Sequence, residues 1–448
     1  MGRLFGTDGV RGLANSELTG KLAFELGQAG AYVLTMAKHK PRILIGRDTR
    51  ISGDMLEAAL IAGICSVGAE AIVAGVIPTP AVAYLTRHYG ADAGVVISAS
   101  HNSMEYNGIK FFDKNGYKLP DELENRIESI ILDKAETMPA PIGVEVGRRV
   151  RIRNAVRDYV EFLKGTVDTD LDGLKIVLDC ANGAAYEAAP MVLGSLGAEV
   201  ITTYHTPDGT NINDYCGSTH PEKLQSLVLE TGADVGLAFD GDADRLIAVS
   251  ELGNLVDGDH IMYICAMDMK ERGLLKQNTV VSTVMSNLGL DNALKNAGCK
   301  LEKTRVGDRY VLEKMLEMGY NFGGEQSGHI IFLDHNTTGD GILTALQLLS
   351  VMKRSGRKLS ELASGMKKYP QVLVNARVSE DKKNFYKDDD VIQEEIRKIE
   401  ERFQDDGRVL IRPSGTEPVV RVMIEGADQR EIEDQAVKLA RLIEERLS

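Results

Sequence analysis

The sequence predicts an α/β protein: three duplicated α/β domains with mixed, largely parallel sheets and a C-terminal α+β domain, set around a central cleft. Three observations predict it. At 448 residues the chain exceeds what one compact core holds. The order strand, Gly-terminated helix, strand occurs three times, with repeats on the order of 100 residues apart, which is domain duplication and not a solenoid. From residue 371 onward the pattern changes to strand, helix, strand, strand, helix.

The first unit reads "RILIGRD" (42–48) as an apolar strand, "DMLEAALIAGICSVG" (54–68) as a helix and "AEAIVAG" (69–75) as a second strand. The second repeats this in "LKIVLDC" (174–180), "AAPMVLGSLG" (188–197) and "AEVITTY" (198–204). The third is "TVVSTVM" (279–285), "LDNALKNAG" (290–298) and "CKLEKTRVG" (299–307). In each, a Gly closes the helix where a left-handed residue is needed, and the next strand follows at once. Such crossovers join parallel strands. In the last part, "QVLVNARV" (371–378) is a strand, "DDVIQEEIRKIEERFQ" (389–404) an amphipathic helix, "GRVLIRPSGTEPVVRVMIEG" (407–426) two strands and "DQREIEDQAVKLARLIEERLS" a closing helix. The domains expected are 1–153, 154–255, 256–368 and 369–448.

A hydrophobic share of 43% with 26% charged residues is that of a soluble globular protein, and a formal net charge of −14 opposes binding to nucleic acid. No run of 18 or more apolar residues suggests a membrane span, and the start lacks the pattern of a secretion signal. The expected location is the cytoplasm. Five widely spaced cysteines without a C-x-x-C pair read as reduced core thiols.

Four polar tips interrupt the apolar pattern. "GVVISASHNSMEYNGIK" (94–110) crowds Ser100, His101 and Lys110 after a buried-looking strand. It is read as a strand-to-helix link, and such a link needs only a cap and one Gly. It is either an ordinary turn or a place where a serine carries a phosphoryl group. "AFDGDADRLIAV" (238–249) packs Asp240, Asp242 and Asp244 together; these repel unless solvated or joined by a cation, and closely spaced oxygen ligands suit Mg²⁺. "GYNFGGEQSGHIIF" (319–332) sets Glu325, Ser327 and His329 on a Gly-rich hairpin that can face sugar hydroxyls or simply turn. "LIRPSGTEPVVRV" (410–422) offers Arg412, Ser414, Gly415, Thr416 and Arg421, a set that matches phosphate oxygens, with a Pro-led turn as the alternative. Arg47 and Arg50 in "GRDTRISG" add guanidiniums at a strand end that either join a site or only pair with the acidic surface, and Arg11 in "LFGTDGVRG" is the stronger site candidate, because its glycines allow close approach to a ligand.

These tips, in this order, resemble the loops of the α-D-phosphohexomutase superfamily over essentially the whole chain: Ser-His-Asn (100–102) its phosphoserine loop, Asp-Gly-Asp-Ala-Asp-Arg (240–245) its metal loop, Gly-Glu-Gln-Ser-Gly-His (324–329) its sugar loop and Arg-Pro-Ser-Gly-Thr-Glu-Pro (412–418) its phosphate loop. "FGTDGVRG", "ISASHN" and "TRVGDRYV" (304–311) are most similar to the bacterial phosphoglucosamine mutase branch. Ser103 departs from the usual Pro, which puts loop rigidity in doubt and not the reaction.

The resemblance implies interconversion of glucosamine 6-phosphate and glucosamine 1-phosphate through a phosphoserine at Ser100 and a sugar bisphosphate. It implies Mg²⁺ held by Asp240, Asp242, Asp244 and the phosphoserine. Lys110, His329 and Arg11 match positions that move protons or place the phosphoserine, and His101 is assigned to orienting the loop. Glu325 and Ser327 would read the sugar, and Arg412, Ser414, Gly415, Thr416 and Arg421 its other phosphate, with the C-terminal domain closing over the cleft. A homodimer and a Ser100 kinase are the candidate macromolecular partners. Rival readings are a phosphoglucomutase/phosphomannomutase, a Mg²⁺-dependent sugar phosphatase and a sugar-phosphate sensor.

Overall fold

The computed structural model describes residues 3–6, 8–35, 40–414 and 418–448. The chain forms two compact units, residues 1–285 with 299–365, and residues 286–298 with 366–448.

The first unit holds three sheets. The first comprises β1 (Val10–Leu13), β2 (Arg42–Arg47), β3 (Glu70–Val76), β4 (Ala93–Ile97), β5 (Tyr106–Asp113) and β6 (Arg149–Arg151), in the order β1-β5-β4-β2-β3-β6. β2 runs parallel to β3 and β4, and β3 to β6, while β5 is antiparallel to both neighbours. Its core packs Ile43, Ile45, Val95 and Ile97 against Leu26, Leu56 and Leu60 of the helices Gly20–Leu34 and Ser52–Ser66.

The second sheet comprises β7 (Lys175–Asp179), β8 (Glu199–Thr203), β9 (Val235–Phe239), β10 (Leu246–Ser250) and β11 (Leu255–Val256), in the order β11-β10-β9-β7-β8. Here β7 is parallel to β8 and β9, and β10 returns antiparallel to β9. In the third, β12 (Thr279–Thr283) lies parallel to β13 (Lys300–Thr304) and β14 (Phe322–Gly324), and β15 (Ile330–Phe332) returns antiparallel to β14. Gly68, Gly197 and Gly298, which follow the three crossover helices, all take positive φ, at 90°, 96° and 70°.

One expectation changes. The polar stretch after β4 leads into antiparallel β5, not into a helix. A lysine in the middle of β5, Lys110, and Gly108 beside it break the apolar alternation by which a strand is recognised.

In the second unit, β16 (Gln371–Arg377), β17 (Gly407–Pro413) and β18 (Val419–Gly426) form an antiparallel sheet in the order β16-β18-β17. The helices Asp390–Phe403 and Gln429–Leu447 begin at Asp389 and Asp428, whose carboxylates accept from the first free N–H groups. Ile392, Val422, Ile424 and Leu439 fill its core. The helix Leu288–Asn296, although it lies between β12 and β13 in sequence, groups with this unit. Its cap residue Asn287 donates to the Tyr369 carbonyl at 2.9 Å and accepts from the Tyr369 N–H at 2.9 Å. Asn287 also donates at 3.1 Å to the buried carboxylate of Glu425, which faces Arg408 at 2.7 Å.

All five cysteines are free thiols, and four of them are buried. Among the described residues no helix is long and apolar enough to cross a membrane.

Candidate active site

Ser100 follows β4 with a left-handed backbone, φ 52°, and is 1% exposed. Its hydroxyl lies 2.6 Å from Asp240 Oδ2 and 3.3 Å from His101 Nδ1. Its N–H donates to Ser98 Oγ at 2.9 Å, and Ser98 in turn donates to Asp48 at 2.6 Å. Burial, then the nearby Arg245 and Arg11, push the His101 imidazole down to about 4, so its ring is neutral at physiological pH.

Asp240, Asp242 and Asp244 form the turn between β9 and β10, with one oxygen of each lying within 4.8 Å of the others. All three are buried, and among the described residues Asp242 Oδ1 and Asp244 Oδ1 have no hydrogen-bond donor. Burial, then repulsion from Asp244 and Asp242, hold the Asp240 carboxyl far above the usual range. Burial opposes ionisation of Asp242 too, but Lys110 at 2.9 Å and the Thr79 hydroxyl at 2.7 Å outweigh it and keep this carboxyl low. Three buried carboxylates with orphaned oxygens fit a hard divalent cation, which would take all three as ligands. Gly241 within this turn cannot be larger: a Cβ would lie 2.6 Å from the Ser100 carbonyl oxygen.

An unbroken chain of opposite charges runs around these loops. Lys110 lies 2.9 Å from both Asp242 and Asp8, and Lys118 lies 2.6 Å from Asp8 and 2.5 Å from Asp308. Asp308 then faces His329 Nε2 at 3.4 Å, and His329 Nδ1 faces Asp244 at 3.4 Å. Arg11 pairs with Asp8 as well. Burial disfavours charge on His329, but Asp244 and Asp308 push its pKa up to about 9. The Gly339 N–H also lies 3.1 Å from Nε2. Gly339 has to be glycine here, since a Cβ would meet the ring at 2.4 Å.

A cavity of about 720 Å³ opens in the first unit, and Arg11, His101, Arg245, Arg309, Glu325 and His329 are among its lining residues. Glu325 and His329 come from the hairpin between β14 and β15, as the sequence suggests. Burial raises the Glu325 carboxyl. Ser327 turns its hydroxyl towards Glu325 at 3.5 Å and does not line the cavity.

The remaining tip belongs to the second unit. Arg412 on β17 stands directly opposite Arg421 on β18. Burial and then Arg421 lower the Arg412 pKa. Like charges in a cross-strand pair repel, and an anion between them would relieve this. Ser414 is buried at the end of β17, with its N–H donating to the Val419 carbonyl at 2.9 Å. Gly415 and Thr416 lie outside the described residues.

Comparison with known proteins matches this layout throughout. Residues 2–138, 157–253 and 257–369 match the models of the phosphoglucomutase/phosphomannomutase α/β/α domains I, II and III, and residues 373–442 match that of the C-terminal domain. The chain belongs to the phosphoglucomutase/phosphomannomutase family. Within that family it is 64% identical to a phosphoglucosamine mutase of Thermoanaerobacter sp. (strain X514) and 65% identical to one of Caldanaerobacter subterraneus subsp. tengcongensis, over 100% of both chains in each case. A crystal structure of a phosphoglucomutase/phosphomannomutase family protein from Burkholderia thailandensis superposes with a TM-score of 0.80 at 25% identity, covering 98% of each chain.

In this member of the family the first unit brings together Ser100, His101, Lys110, Arg11, the three aspartates, Glu325 and His329. Sequence reasoning passed over Asp8, Lys118, Asp308 and Arg245, although all but Lys118 lie in stretches that stood out for their glycines or charges. It left Arg47 and Arg50 open between the site and a surface pairing. Arg47 does reach Asp54, at 2.5 Å, but Arg50 is 0% exposed and points into the serine loop.

Proposed function

We propose that this chain interconverts glucosamine 6-phosphate and glucosamine 1-phosphate, with Ser100 as the carrier of the phosphoryl group. The observation that carries the site assignment is the 2.6 Å approach of the buried Ser100 hydroxyl to a carboxylate of the three-aspartate turn. Full-length relatives named phosphoglucosamine mutase at 60–65% identity support the amino-sugar substrate.

Phosphoserine donates its phosphoryl group to the free hydroxyl of the sugar monophosphate; the P–O bond to Ser100 breaks as the bond to the sugar oxygen forms. The hydroxyl proton passes to Lys110 or His329 in molecules where that group is deprotonated, a minority at pH 7 because the facing carboxylates raise both pKa values. The bisphosphate turns end for end, and its other phosphoryl group returns to Ser100, leaving the isomer. Mg²⁺ held by Asp240, Asp242, Asp244 and an oxygen of phosphoserine would screen the charge that builds during transfer. Arg11 and His101 border the cavity and place the serine loop, Glu325 reads the sugar with Ser327 turned towards it from outside the cavity lining, and Arg412, Ser414, Gly415, Thr416 and Arg421 hold the phosphate not being transferred. The reading divides the chain at 153, 255 and 368, with one loop to each domain, and places it in the cytoplasm. A sugar bisphosphate or a kinase first loads Ser100.

Peptide mass spectrometry with mutase assays of wild type and Ser100→Ala tests this. One phosphate on Ser100, activity lost in the variant and a preference for glucosamine phosphates over glucose and mannose phosphates are expected. A fully active Ser100→Ala would overturn the mechanism, and a preference for glucose or mannose phosphate would overturn the substrate. Release of inorganic phosphate at the rate of isomerisation would indicate a phosphatase instead.

A further inference from the structure

The serine loop is gripped from outside by groups that the transfer chemistry does not itself require. Arg50 donates to the carbonyl of Ser100 at 3.1 Å and to that of Asn102 at 2.5 Å. Asn213, from the loop after β8, donates to the same two carbonyls at 2.9 Å each. Asp48 completes the grip: it pairs with Arg50 and accepts from Ser98, which holds the Ser100 N–H.

The geometry points to Arg50, Asp48 and Asn213 as positioning residues that fix the left-handed backbone of Ser100 and so aim its phosphoryl group. This rests on the reading of Ser100 as the phosphoryl carrier. Three observations argue for it. A non-Gly residue at φ 52° is strained and persists only where its surroundings over-determine it. Arg50 is 0% exposed with its charge balanced by Asp48, so it is not available to a substrate phosphate and acts through the loop. The grip also holds the metal turn close to the serine loop, because a Cβ on Gly241 would meet the Ser100 oxygen at 2.6 Å and Asn213 Nδ2 at 2.8 Å. One guanidinium and one amide, from different sheets, thus set the distance between the phosphoryl donor and the three carboxylates.

The test uses the full chain as wild type, Asn213→Ala and Arg50→Lys, each loaded with glucose 1,6-bisphosphate. Phosphate on Ser100 is read by intact mass, transfer to glucosamine 6-phosphate by single-turnover rapid quench, and folding by thermal melting. A donor displaced by about 1 Å loses roughly 10²-fold in rate. Both variants are therefore expected to transfer about ten- to a hundredfold more slowly while folded, with KM within about twofold of wild type. Arg50 uses one nitrogen, Nη2, for both carbonyls and the other, Nη1, for Asp48; Arg50→Lys keeps the charge but offers one nitrogen on a shorter stem, so it is expected to fail like Asn213→Ala. Should Arg50→Lys not fold, Asn213→Ala decides, with Asn213→Gly, which removes the same two hydrogen bonds but suits the left-handed φ of 57°, separating their loss from backbone strain. Wild-type transfer by folded variants, or a loss confined to KM, would overturn the proposal. A wild type that takes no phosphate at Ser100 would overturn the phosphoserine reading and this proposal together, and is told apart because it appears in the unmutated chain.

Discussion

Removing the charge of Lys110 leaves Asp242 without the cation it faces at 2.9 Å, and leaves Asp8 to Lys118 and Arg11 alone. Breaking a buried pair from one side costs about 3–5 kcal/mol, and losing a positioned acid–base group costs about 10²–10⁴ in rate. Lys110→Met is thus expected to lower both the urea midpoint and kcat, and equilibrium unfolding with initial rates checks it. The orphaned oxygens of Asp242 and Asp244 make a second prediction at this scale. Adding Mg²⁺ at a hundred times its Kd is expected to stabilise the chain by about 2.7 kcal/mol, a gain that Asp242→Asn diminishes and EDTA abolishes along with activity. The residues legible in the sequence were those crowded into short polar tips: Ser100, the three aspartates, Glu325 and His329. Lys118 and Asn213 stand alone in sequence, and only folding brings Lys118 between Asp8 and Asp308, or Asn213 onto the serine loop. Ser103 shows the same gap: the carbonyl just before it, that of Asn102, accepts from Arg50 and Asn213, residues remote in sequence.

The polar tips of the first unit share one construction at the level of elements. β4–β5, β9–β10 and β14–β15 are each a parallel strand followed by an antiparallel return, with the polar turn at the end of the first. The crossover helices were legible because a period of 3.6 residues ending in Gly is a strong signal. The return after β14 was legible as a Gly-rich hairpin, whereas the return after β4 was not, because β5 carries a buried lysine. Asp340, at the start of the helix Gly341–Ser355, tests how such an element is anchored. It accepts from Leu343 N at 3.0 Å, from Asn336 at 3.1 Å and from the buried Tyr159 hydroxyl at 2.8 Å, and burial lifts its pKa from 3.8 to about 6. The folded state then binds a proton more tightly than the unfolded chain. This stabilisation is complete below about pH 4 and lost as pH rises through about 6, by up to about 3 kcal/mol. Asp340→Asn is expected to flatten that loss relative to wild type, as urea midpoints between pH 4 and 7 would show.

The whole molecule consists of two compact units, and two unfolding transitions are expected where a single-domain protein shows one. Glu425→Ala, which strips Arg408 and Asn287 of a fully buried acceptor, is expected to cost about 3–5 kcal/mol and to move only one of them. With no tryptophan in the chain, far-UV circular dichroism or pulse proteolysis serves better than fluorescence. Four domain-like stretches could be read in the sequence from the repeated strand–helix–strand order and its break near 371. The allegiance of the helix Leu288–Asn296 could not, because its neighbours in sequence are strands of the other unit and its ties to Tyr369 and Glu425 span 82 and 138 residues. That allegiance bears on how the protein can be cut. A fragment starting at 366 would carry the antiparallel sheet but leave Glu425 facing Arg408 without the helix cap that covers it, so it should be recovered as a soluble species only when a peptide covering 286–298 is supplied in trans.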